Sequence, residues 1–207
     1  VVMEKQDTFR VVVLIPAYKP DDRLIQLTRE LKEEKLDVLL VDDGGQKPFA
    51  PIFEKCRALG AEIAVHAVNQ GKGRALKTGL NAALNIWPDL SGVVTADADG
   101  QHTLRDILRI IEAMREHPNA LVLGSREFTG DVPFKSRWGN RITRFVYALA
   151  SGVHVSDTQT GLRGLPACAI PAMITIDGER YEYEMNVLLK LRDMKLGVVE
   201  VPIETIY

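Results

Sequence analysis

The chain has 207 residues, of which 46% are hydrophobic and 26% are charged. This length and composition fit one globular domain with a sizeable core, and the formal net charge of −2 argues against a nucleic-acid-binding protein. No apolar run approaches the ~18 residues that a membrane-spanning helix needs. We interpret Cys56 and Cys168 as reduced, buried thiols of a cytoplasmic protein.

Strands and helices are predicted to alternate from the start of the chain to residue 124. Five buried strands are predicted by the apolar runs at residues 11–15, 38–41, 63–68, 93–96 and 120–124. Amphipathic helices are predicted between them, the first capped by Asp21 or Asp22 and the last opened by Thr103. This alternation predicts a mostly parallel sheet with helices on both faces.

The second half of the chain has a different character. Residues 125–141 are rich in Arg, Lys, Gly and Pro, a helix-like pattern covers 141–153, and a polar loop punctuated by glycine covers 157–164. A helix is predicted at 179–194 and a strand at 198–206. Because the chain stops inside this last predicted strand, we expect it to be a domain excised from a longer protein.

Three of the predicted strands are followed by acidic or glycine-rich turns. These turns are Asp42-Asp43, Gly71-Lys72-Gly73 and Asp97-Ala98-Asp99. Because the carboxyl ends of parallel strands lie at one edge of a sheet, we expect the three turns to converge on a ligand. Alone, Asp97 and Asp99 would be interpreted as a turn and helix cap. In this setting their carboxylate oxygens suit Mg²⁺ or Mn²⁺ held against phosphates.

The other two turns complete a predicted nucleoside diphosphate site. A carboxylate at Asp42 or Asp43 would accept hydrogen bonds from a base N–H or a ribose hydroxyl. Glycines let the backbone approach a phosphate, and Lys72 adds a cation at a helix N-terminus. The full phosphate-loop spacing is missing, and no Gly-x-Gly-x-x-Gly follows the first strand, which counts against a P-loop ATPase or a dinucleotide oxidoreductase.

Six motifs, in this order, resemble those of a known family. They are Ile-Pro-Ala-Tyr at 15–18, Val-Asp-Asp-Gly at 41–44, Asn-x-Gly-Lys-Gly-x-Ala-Leu at 69–76, Asp-Ala-Asp-Gly-Gln-His at 97–102, Gly-Ser-Arg at 124–126 and Asp-Thr-Gln-Thr-Gly-Leu-Arg-Gly at 157–164. Together they resemble family 2 glycosyltransferases, and within that family the polyprenyl-phosphate sugar synthases, which include dolichyl-phosphate mannose synthase and GtrB-like enzymes. The resemblance implies the GT-A (Rossmann-like) α/β fold, with an antiparallel element in the second half.

The resemblance implies a donor-binding role for residues in the first half of the chain. The nucleotide would be bound by Pro16, Ala17, Tyr18, Asp42, Asp43, Lys72 and Asp97. The metal ion, Mg²⁺ or Mn²⁺, would be held by Asp97, Asp99 and Gln101. We expect the donor to be a UDP- or GDP-linked sugar.

The resemblance also implies an acceptor site and a set of catalytic residues. Arg126 and Arg137 match basic positions associated with the lipid phosphate acceptor. The residues with a catalytic role would be Asp99, Asp157, Gln159 and Arg163, and Asp157 is not assigned as a base. An acceptor phosphate is already ionised, so arginines that position it matter more than a base.

The implied reaction transfers a sugar to a polyprenyl phosphate with inversion, in the cytoplasm at the inner face of the membrane. We expect residues 1–207 to form one catalytic domain, with a donor-binding half at 1–124 and an acceptor-binding half at 125–207. A membrane region would follow at the C-terminus of the longer protein. The expected partners are the donor, the lipid acceptor and the membrane surface, and a homo-oligomer is compatible with the sequence.

One departure from the family pattern leaves the donor open. The family has Asn-Glu after Pro-Ala-Tyr, whereas this chain has Lys19-Pro20, so a glutamate that would contact the nucleoside is missing. Three alternatives to the implied function also stay open. One is a glycosyltransferase with a soluble or polysaccharide acceptor, another is a nucleotidyltransferase, and the third is a non-catalytic module that binds nucleotide sugars.

Overall fold

The computed structural model describes residues 9–45, 47–126 and 160–204. Within these ranges the strands are β1 (Arg10–Ala17), β2 (Asp37–Asp42), β3 (Glu62–Val65), β4 (Leu90–Thr95), β5 (Ala120–Arg126), β6 (Arg163–Pro166) and β7 (Gly197–Ile203). The α-helices are α1 (Asp22–Glu33), α2 (Ala50–Ala58), α3 (Lys72–Ile86), α4 (Leu104–Glu116), α5 (Ile170–Ile174) and α6 (Glu182–Lys190). None of these helices combines the length and hydropathy of a membrane-spanning segment.

The seven strands form one sheet in the order β3-β2-β1-β4-β6-β5-β7. Strands β1 to β4 run parallel to one another, and β7 runs parallel to β5. Strand β6 lies between β4 and β5 and is antiparallel to both. The predicted mostly parallel sheet with an antiparallel element in the second half is therefore confirmed.

The core has two layers, one on each face of the sheet. Along β1 the buried side chains alternate, as the period of a strand requires. Val11, Val13 and Ile15 pack with α1, α2 and α4 on one face, whereas Val12 and Leu14 pack with α3, α5 and α6 on the other. A fully buried side chain of this size stabilises the fold by roughly 1.5–3 kcal/mol. The predicted helices on both faces are present.

Two of the predicted helices begin at the caps that the sequence indicates. Asp21 caps α1 and accepts a hydrogen bond from the Arg23 backbone N–H at 3.0 Å. Thr103 caps α4 in the same way through the backbone N–H of Asp106. A side-chain oxygen at this position satisfies an N–H that has no partner inside the helix. These caps fix where the two helices leave the edge of the sheet.

Several predicted bounds are wrong, and one predicted burial. Strand β4 spans Leu90–Thr95 and not 93–96. Strand β3 ends at Val65; the His66 N–H still donates to the Asp42 carbonyl at the end of β2, and the chain then leaves the sheet. Helix α6 spans only Glu182–Lys190, because residues 179–181 form a bend and turn after Gly178 and residues 191–195 form another turn. The predicted strand at 198–206 ends at Ile203. Cys56 is buried as predicted, but Cys168 is exposed. The helix predicted at 141–153 lies outside the described residues.

Candidate active site

A cleft of about 550 Å³ opens at the carboxyl edge of the sheet. Its walls come from the segment after β1, from the ends of β2 and β4, from the start of α3, and from Arg180 and Tyr181 ahead of α6. The predicted donor residues that line it are Pro16, Ala17, Tyr18, Asp43, Lys72, Asp97 and Asp99. The three turns therefore converge, as the parallel topology predicts.

Asp97 is held by two side chains of this cleft. Its Oδ1 lies 2.7 Å from the Lys72 ammonium and its Oδ2 lies 3.2 Å from His102 Nε2. Burial would raise the pKa of Asp97, but the hydrogen bond from His102 and the Lys72 charge outweigh it and hold the pKa well below its ordinary value. Asp97 is therefore ionised at neutral pH and presents negative charge to the cleft.

Lys72 lies between two carboxylates. Besides Asp97, its Nζ contacts Glu184 Oε2 at 3.0 Å. Burial would lower the pKa of the Lys72 ammonium, but the Glu184 and Asp97 carboxylates outweigh that effect and raise the pKa. The lysine therefore keeps its charge although its side chain is only 19% exposed.

Gly161 lies directly behind Asp97. A Cβ added at Gly161 would be 2.3 Å from Asp97 Oδ2, a distance that real Cβ atoms do not show. The Gly161 carbonyl accepts a hydrogen bond from Thr95 Oγ1 at 2.8 Å, which fixes this backbone to the end of β4. The glycine of the motif at 157–164 thus makes room for the first aspartate of the motif at 97–102.

Asp99 and Gln101 share one tight turn. Asp99 is exposed, lines the cleft, and accepts the Gln101 backbone N–H at 3.0 Å. Gln101 is exposed and is not among the residues that line the cleft. His102 is buried beside Asp97 and orients the Asp97 carboxylate through Nε2.

The donor atoms of this cleft fit a divalent cation that is shared with a diphosphate. Asp97 and Asp99 supply hard oxygen ligands, and Mg²⁺ commonly takes one or two carboxylates together with substrate phosphates and water. Among the described residues, no group of three or more His, Cys, Asp or Glu side chains is arranged to hold a metal. Within the part of the chain that the structure describes, the candidate carboxylate ligands in the cleft turn are Asp97 and Asp99.

Asp43 is an anchor for the loop that follows β3. Only 3% exposed, it accepts hydrogen bonds from the backbone N–H groups of Gln70 and Gly71 at 2.8 and 2.9 Å and from Asn69 Nδ2 at 2.9 Å. His66 Nδ1 lies 2.7 Å from Asp43 Oδ1. Asp43 therefore shapes the cleft wall whether or not it also contacts a nucleoside.

Asp42, its neighbour, has a different local role. Its Oδ1 accepts the Gly45 backbone N–H at 2.7 Å, and Asp42 is not among the residues that line the cleft. Asp43 lies one residue beyond β2, where its carboxylate reaches the loop at 69–71. Sequence alone left both aspartates as candidates, because only the end of the strand decides which one turns inward.

We expect Asp43→Asn to lower the free energy of unfolding by about 2–4 kcal/mol, because an amide cannot accept all four hydrogen bonds and hydrogen bonds to a charged group are worth roughly 1.5–3 kcal/mol each. Urea denaturation at neutral pH measures the loss. Asp42→Asn is the matched control, since its remaining oxygen still accepts the Gly45 N–H and the loss should stay within about 1 kcal/mol. Equal losses in the two variants would contradict the anchoring role of Asp43.

The glycines at the start of α3 contact protein backbone in this structure. An added Cβ would lie 2.5 Å from the Glu179 carbonyl oxygen at Gly71 and 2.6 Å from Tyr183 Cβ at Gly73. The Arg74 backbone N–H donates to the Glu179 carbonyl at 2.9 Å. The predicted phosphate cradle is thus, on this side, a docking surface for the segment that leads into α6.

Lys77 strengthens the same docking. Its side chain is buried, donates to the Ile176 carbonyl at 3.1 Å and forms an ion pair with Glu179 at 3.0 Å. Arg74 forms a second ion pair with Glu179. These contacts bring Arg180, Tyr181 and Glu184 to the cleft, although they are distant from it in sequence.

Arg163 lies beneath the cleft and not in its lining. The side chain is 3% exposed, and its Nε donates to the Thr160 carbonyl at 3.0 Å. Its Nη1 donates to the Glu184 carbonyl at 2.7 Å. Arg163 therefore links the described end of the loop at 157–164 to the first turn of α6.

The remaining predicted site residues are not tested by the structure. Arg126 is the last residue of β5, and its side chain is outside the described part of the chain. Arg137, Asp157 and Gln159 also lie outside the described residues. Their roles stay predictions.

Arg180, Tyr181 and Glu184 lie outside the six motifs of the sequence. The structure places Arg180 and Tyr181 in the lining of the cleft and Glu184 on Lys72. Glu182 and Glu184 look like residues of an acidic first turn, which stabilises a helix start without any ligand. Tyr181 is an aromatic residue just before this acidic turn, which is the one sequence signal for a binding surface here. In the structure its side chain is 79% exposed.

The fold and cleft define an α/β protein with an acidic pair at the carboxyl edge of its sheet. Residues 12–175 match the family described as Glycosyl transferase family 2. The chain therefore belongs to glycosyltransferase family 2, and the predicted family is confirmed.

Two named relatives indicate which branch of the family the chain resembles. A UDP-N-acetylglucosamine–dolichyl-phosphate N-acetylglucosaminyltransferase of Methanococcus voltae is 30% identical, with 95% of this chain and 86% of that protein covered. A polyprenol monophosphomannose synthase of Mycolicibacterium smegmatis is 26% identical, with 95% of this chain and 77% of that protein covered. These names confirm the predicted resemblance to the polyprenyl-phosphate branch.

A solved structure shows the same fold. Glucosyl-3-phosphoglycerate synthase from Mycobacterium tuberculosis, crystallised with Mn²⁺, UDP and phosphoglyceric acid, superposes with a TM-score of 0.69. The two sequences are 16% identical, and the match covers 94% of this chain and 69% of that one. At this identity the likeness establishes the GT-A fold of the chain.

Proposed function

We propose that this protein transfers a sugar from a UDP- or GDP-linked donor to a polyprenyl phosphate, with inversion at the anomeric carbon. The observation that carries the proposal is the meeting of Asp97, Asp99 and Lys72 in one cleft at the carboxyl edge of the sheet. The acceptor class rests on the named relatives and on the resemblance of the motif at 157–164.

The cleft has the charges that a nucleotide diphosphate requires. Lys72, Lys19, Arg23 and Arg180 bring positive charge to its lining, and Tyr18 offers a half-exposed aromatic ring beside the end of β1. A ring in this position would stack on a base or pack against a sugar. We assign the diphosphate to the region between Lys72 and the aspartate pair.

Asp97 and Asp99 would hold a Mg²⁺ or Mn²⁺ ion, which when bound would neutralise the charge of the departing diphosphate. The protein keeps Asp97 ionised through Lys72 and His102, so the carboxylate is ready for a cation. Gly161 and Thr95 hold the backbone behind it. We assign Gln101 as a third ligand by its place in the motif.

We assign the acceptor phosphate to Arg126 and Arg137, and the surroundings of the transferred sugar to Asp157 and Gln159. Arg163 would act on that loop from below, through its hydrogen bond to the Thr160 carbonyl. On this assignment residues 1–124 supply most of the donor site, Arg180 and Tyr181 add to it from the second half, and 125–207 otherwise form the acceptor-binding half of one catalytic domain. The reaction would take place at the cytoplasmic face of the membrane, and oligomerisation is compatible with it.

The test is transfer of a radiolabelled sugar to polyprenyl phosphate in detergent, with UDP- and GDP-linked donors and with Mg²⁺ or Mn²⁺. The proposal predicts a labelled lipid product that carries the inverted anomeric configuration. Transfer to a soluble acceptor or polysaccharide, with none to the lipid, would contradict the acceptor assignment. Donor binding without any transfer would favour a non-catalytic module.

The double variant Arg126→Ala with Arg137→Ala is expected to raise the KM for polyprenyl phosphate by about 10- to 100-fold, since a charged hydrogen bond is worth roughly 1.5–3 kcal/mol. Donor affinity should stay unchanged, because these arginines would position only the acceptor. Steady-state transfer at varied lipid, with nucleotide titration alongside, measures both quantities. A fall in donor affinity would show instead that these arginines belong to the diphosphate site.

A further inference from the structure

Glu184 is the second carboxylate that contacts the Lys72 ammonium beside the cleft. The Lys72 Nζ lies 2.7 Å from Asp97 Oδ1 and 3.0 Å from Glu184 Oε2. The Glu184 side chain is 12% exposed, and its Oε1 is buried with no hydrogen-bond partner among the described residues. A buried carboxylate is costly unless cations compensate it: Lys72 does so at Oε2, and Arg163 Nε lies 3.9 Å from Oε1.

The backbone at Glu184 and in the segment before it is held in place by contacts with neighbouring elements. Its backbone carbonyl accepts Arg163 Nη1 at 2.7 Å, and the segment ahead of it docks on Gly71 and Gly73 at the start of α3. Lys72 belongs to that same first turn of α3. The carboxylate and the ammonium are therefore held on two elements that are themselves locked together.

The two carboxylates share one positive charge, and this has a consequence for Asp97. If Lys72 were paired with Asp97 alone, it would neutralise the carboxylate that the proposed donor site needs for a cation. Because Glu184 takes part of the interaction with the ammonium, Asp97 keeps negative charge available to the cleft. The contact with Glu184 would also keep Lys72 beside the cleft when Asp97 binds a cation.

We propose that Glu184 is a positioning residue of the donor site: it retains the Lys72 ammonium beside Asp97 so that this charge faces the donor diphosphate. This inference rests on the proposed function, because it takes the ligand of Lys72 to be a nucleotide diphosphate. Glu184 acts through Lys72 and makes no contact with substrate.

The experiment is a double-mutant cycle read by calorimetric titration of UDP and of GDP in the presence of Mn²⁺. The proteins are the wild type, Glu184→Gln, Lys72→Met and the double variant. Glu112→Gln, an exposed glutamate on α4, is the matched control for loss of one negative charge. Thermal melting of each variant shows whether the fold is retained.

We expect Glu184→Gln to weaken nucleotide binding by about tenfold in the wild-type background, the value of one charged hydrogen bond. In the Lys72→Met background the same change should alter the affinity within about twofold, because the residue through which Glu184 acts is absent. Glu112→Gln should bind as the wild type does.

Two results would overturn the inference while leaving the proposed function intact. One is an equal loss from Glu184→Gln in both backgrounds, which would make Glu184 independent of Lys72. The other is wild-type affinity in Glu184→Gln. If the wild-type protein binds neither nucleotide, the proposed function itself is wrong, and the role of Glu184 with it.

Discussion

Gly161→Ala is expected to weaken Mn²⁺-dependent nucleotide binding by about 100-fold, although no substrate contact is assigned to Gly161. The added methyl group would lie 2.3 Å from Asp97 Oδ2 and 2.7 Å from Asp97 Oδ1, so the carboxylate has to move. Displacing a positioned group by about 1 Å is enough for a loss of this size. Fluorescence or calorimetric titration of the nucleotide measures it.

Gly197→Ala is the control for a glycine-to-alanine change in this sheet. At Gly197 the nearest atom to an added Cβ is Ala120 Cβ at 3.8 Å, an ordinary van der Waals contact. The control should bind nucleotide as the wild type does.

Gly161→Ala should also lose about 1–3 kcal/mol of stability, because overpacking of an interior is destabilising. Unchanged nucleotide binding in Gly161→Ala would show that the position of the Asp97 carboxylate does not matter for the donor.

Asp99→Ala is expected to remove the Mn²⁺ dependence of nucleotide binding and to leave the fold nearly intact. The Asp99 carboxylate is exposed, and among the described residues it accepts a hydrogen bond within its own turn, from the Gln101 N–H. Its loss should therefore shift Tm by no more than about 4 °C. The metal-dependent affinity should fall by about 100-fold or more, since even outer-shell partners of a metal account for 10–100-fold.

The control for Asp99→Ala is Asp193→Ala. Asp193 is an exposed carboxylate, 67% accessible, whose partner Lys190 lies on α6 at 3.0 Å. The Asp193→Ala substitution removes the same charge from a surface that is not part of the cleft lining. Equal losses of metal-dependent binding in the two variants would show a general charge effect and not a cation site.

Much of the fold and the donor side of the site could be predicted from local patterns. Apolar runs located β1 to β5 and β7, whereas β6, which begins inside the predicted polar loop at 157–164, was missed. The strand ends located Asp43, Lys72 and Asp97 at one edge, because parallel topology leaves little choice. The side-chain direction at each strand end was not predictable. That is why Asp42 and Asp43 were equivalent in the sequence but differ in the structure, one capping a turn and the other anchoring a loop.

The far wall of the cleft could not be predicted, since it depends on a contact between distant segments. Gly71 and Gly73 read locally as a turn suited to a phosphate, and nothing local shows that the backbone at 179–183 lies against them. Glu184 and Lys72 meet only because that segment docks there. A glycine that admits a phosphate and a glycine that admits another backbone have the same local signature.

The most direct test of the central claim is calorimetric titration of UDP and GDP into the wild type and Asp99→Ala, each with and without Mn²⁺. We predict that at least one nucleotide binds the wild type in a Mn²⁺-dependent manner and that Asp99→Ala loses this dependence while melting as a folded protein. The account is contradicted if neither nucleotide binds the wild type with Mn²⁺, or if Asp99→Ala retains the full Mn²⁺ dependence.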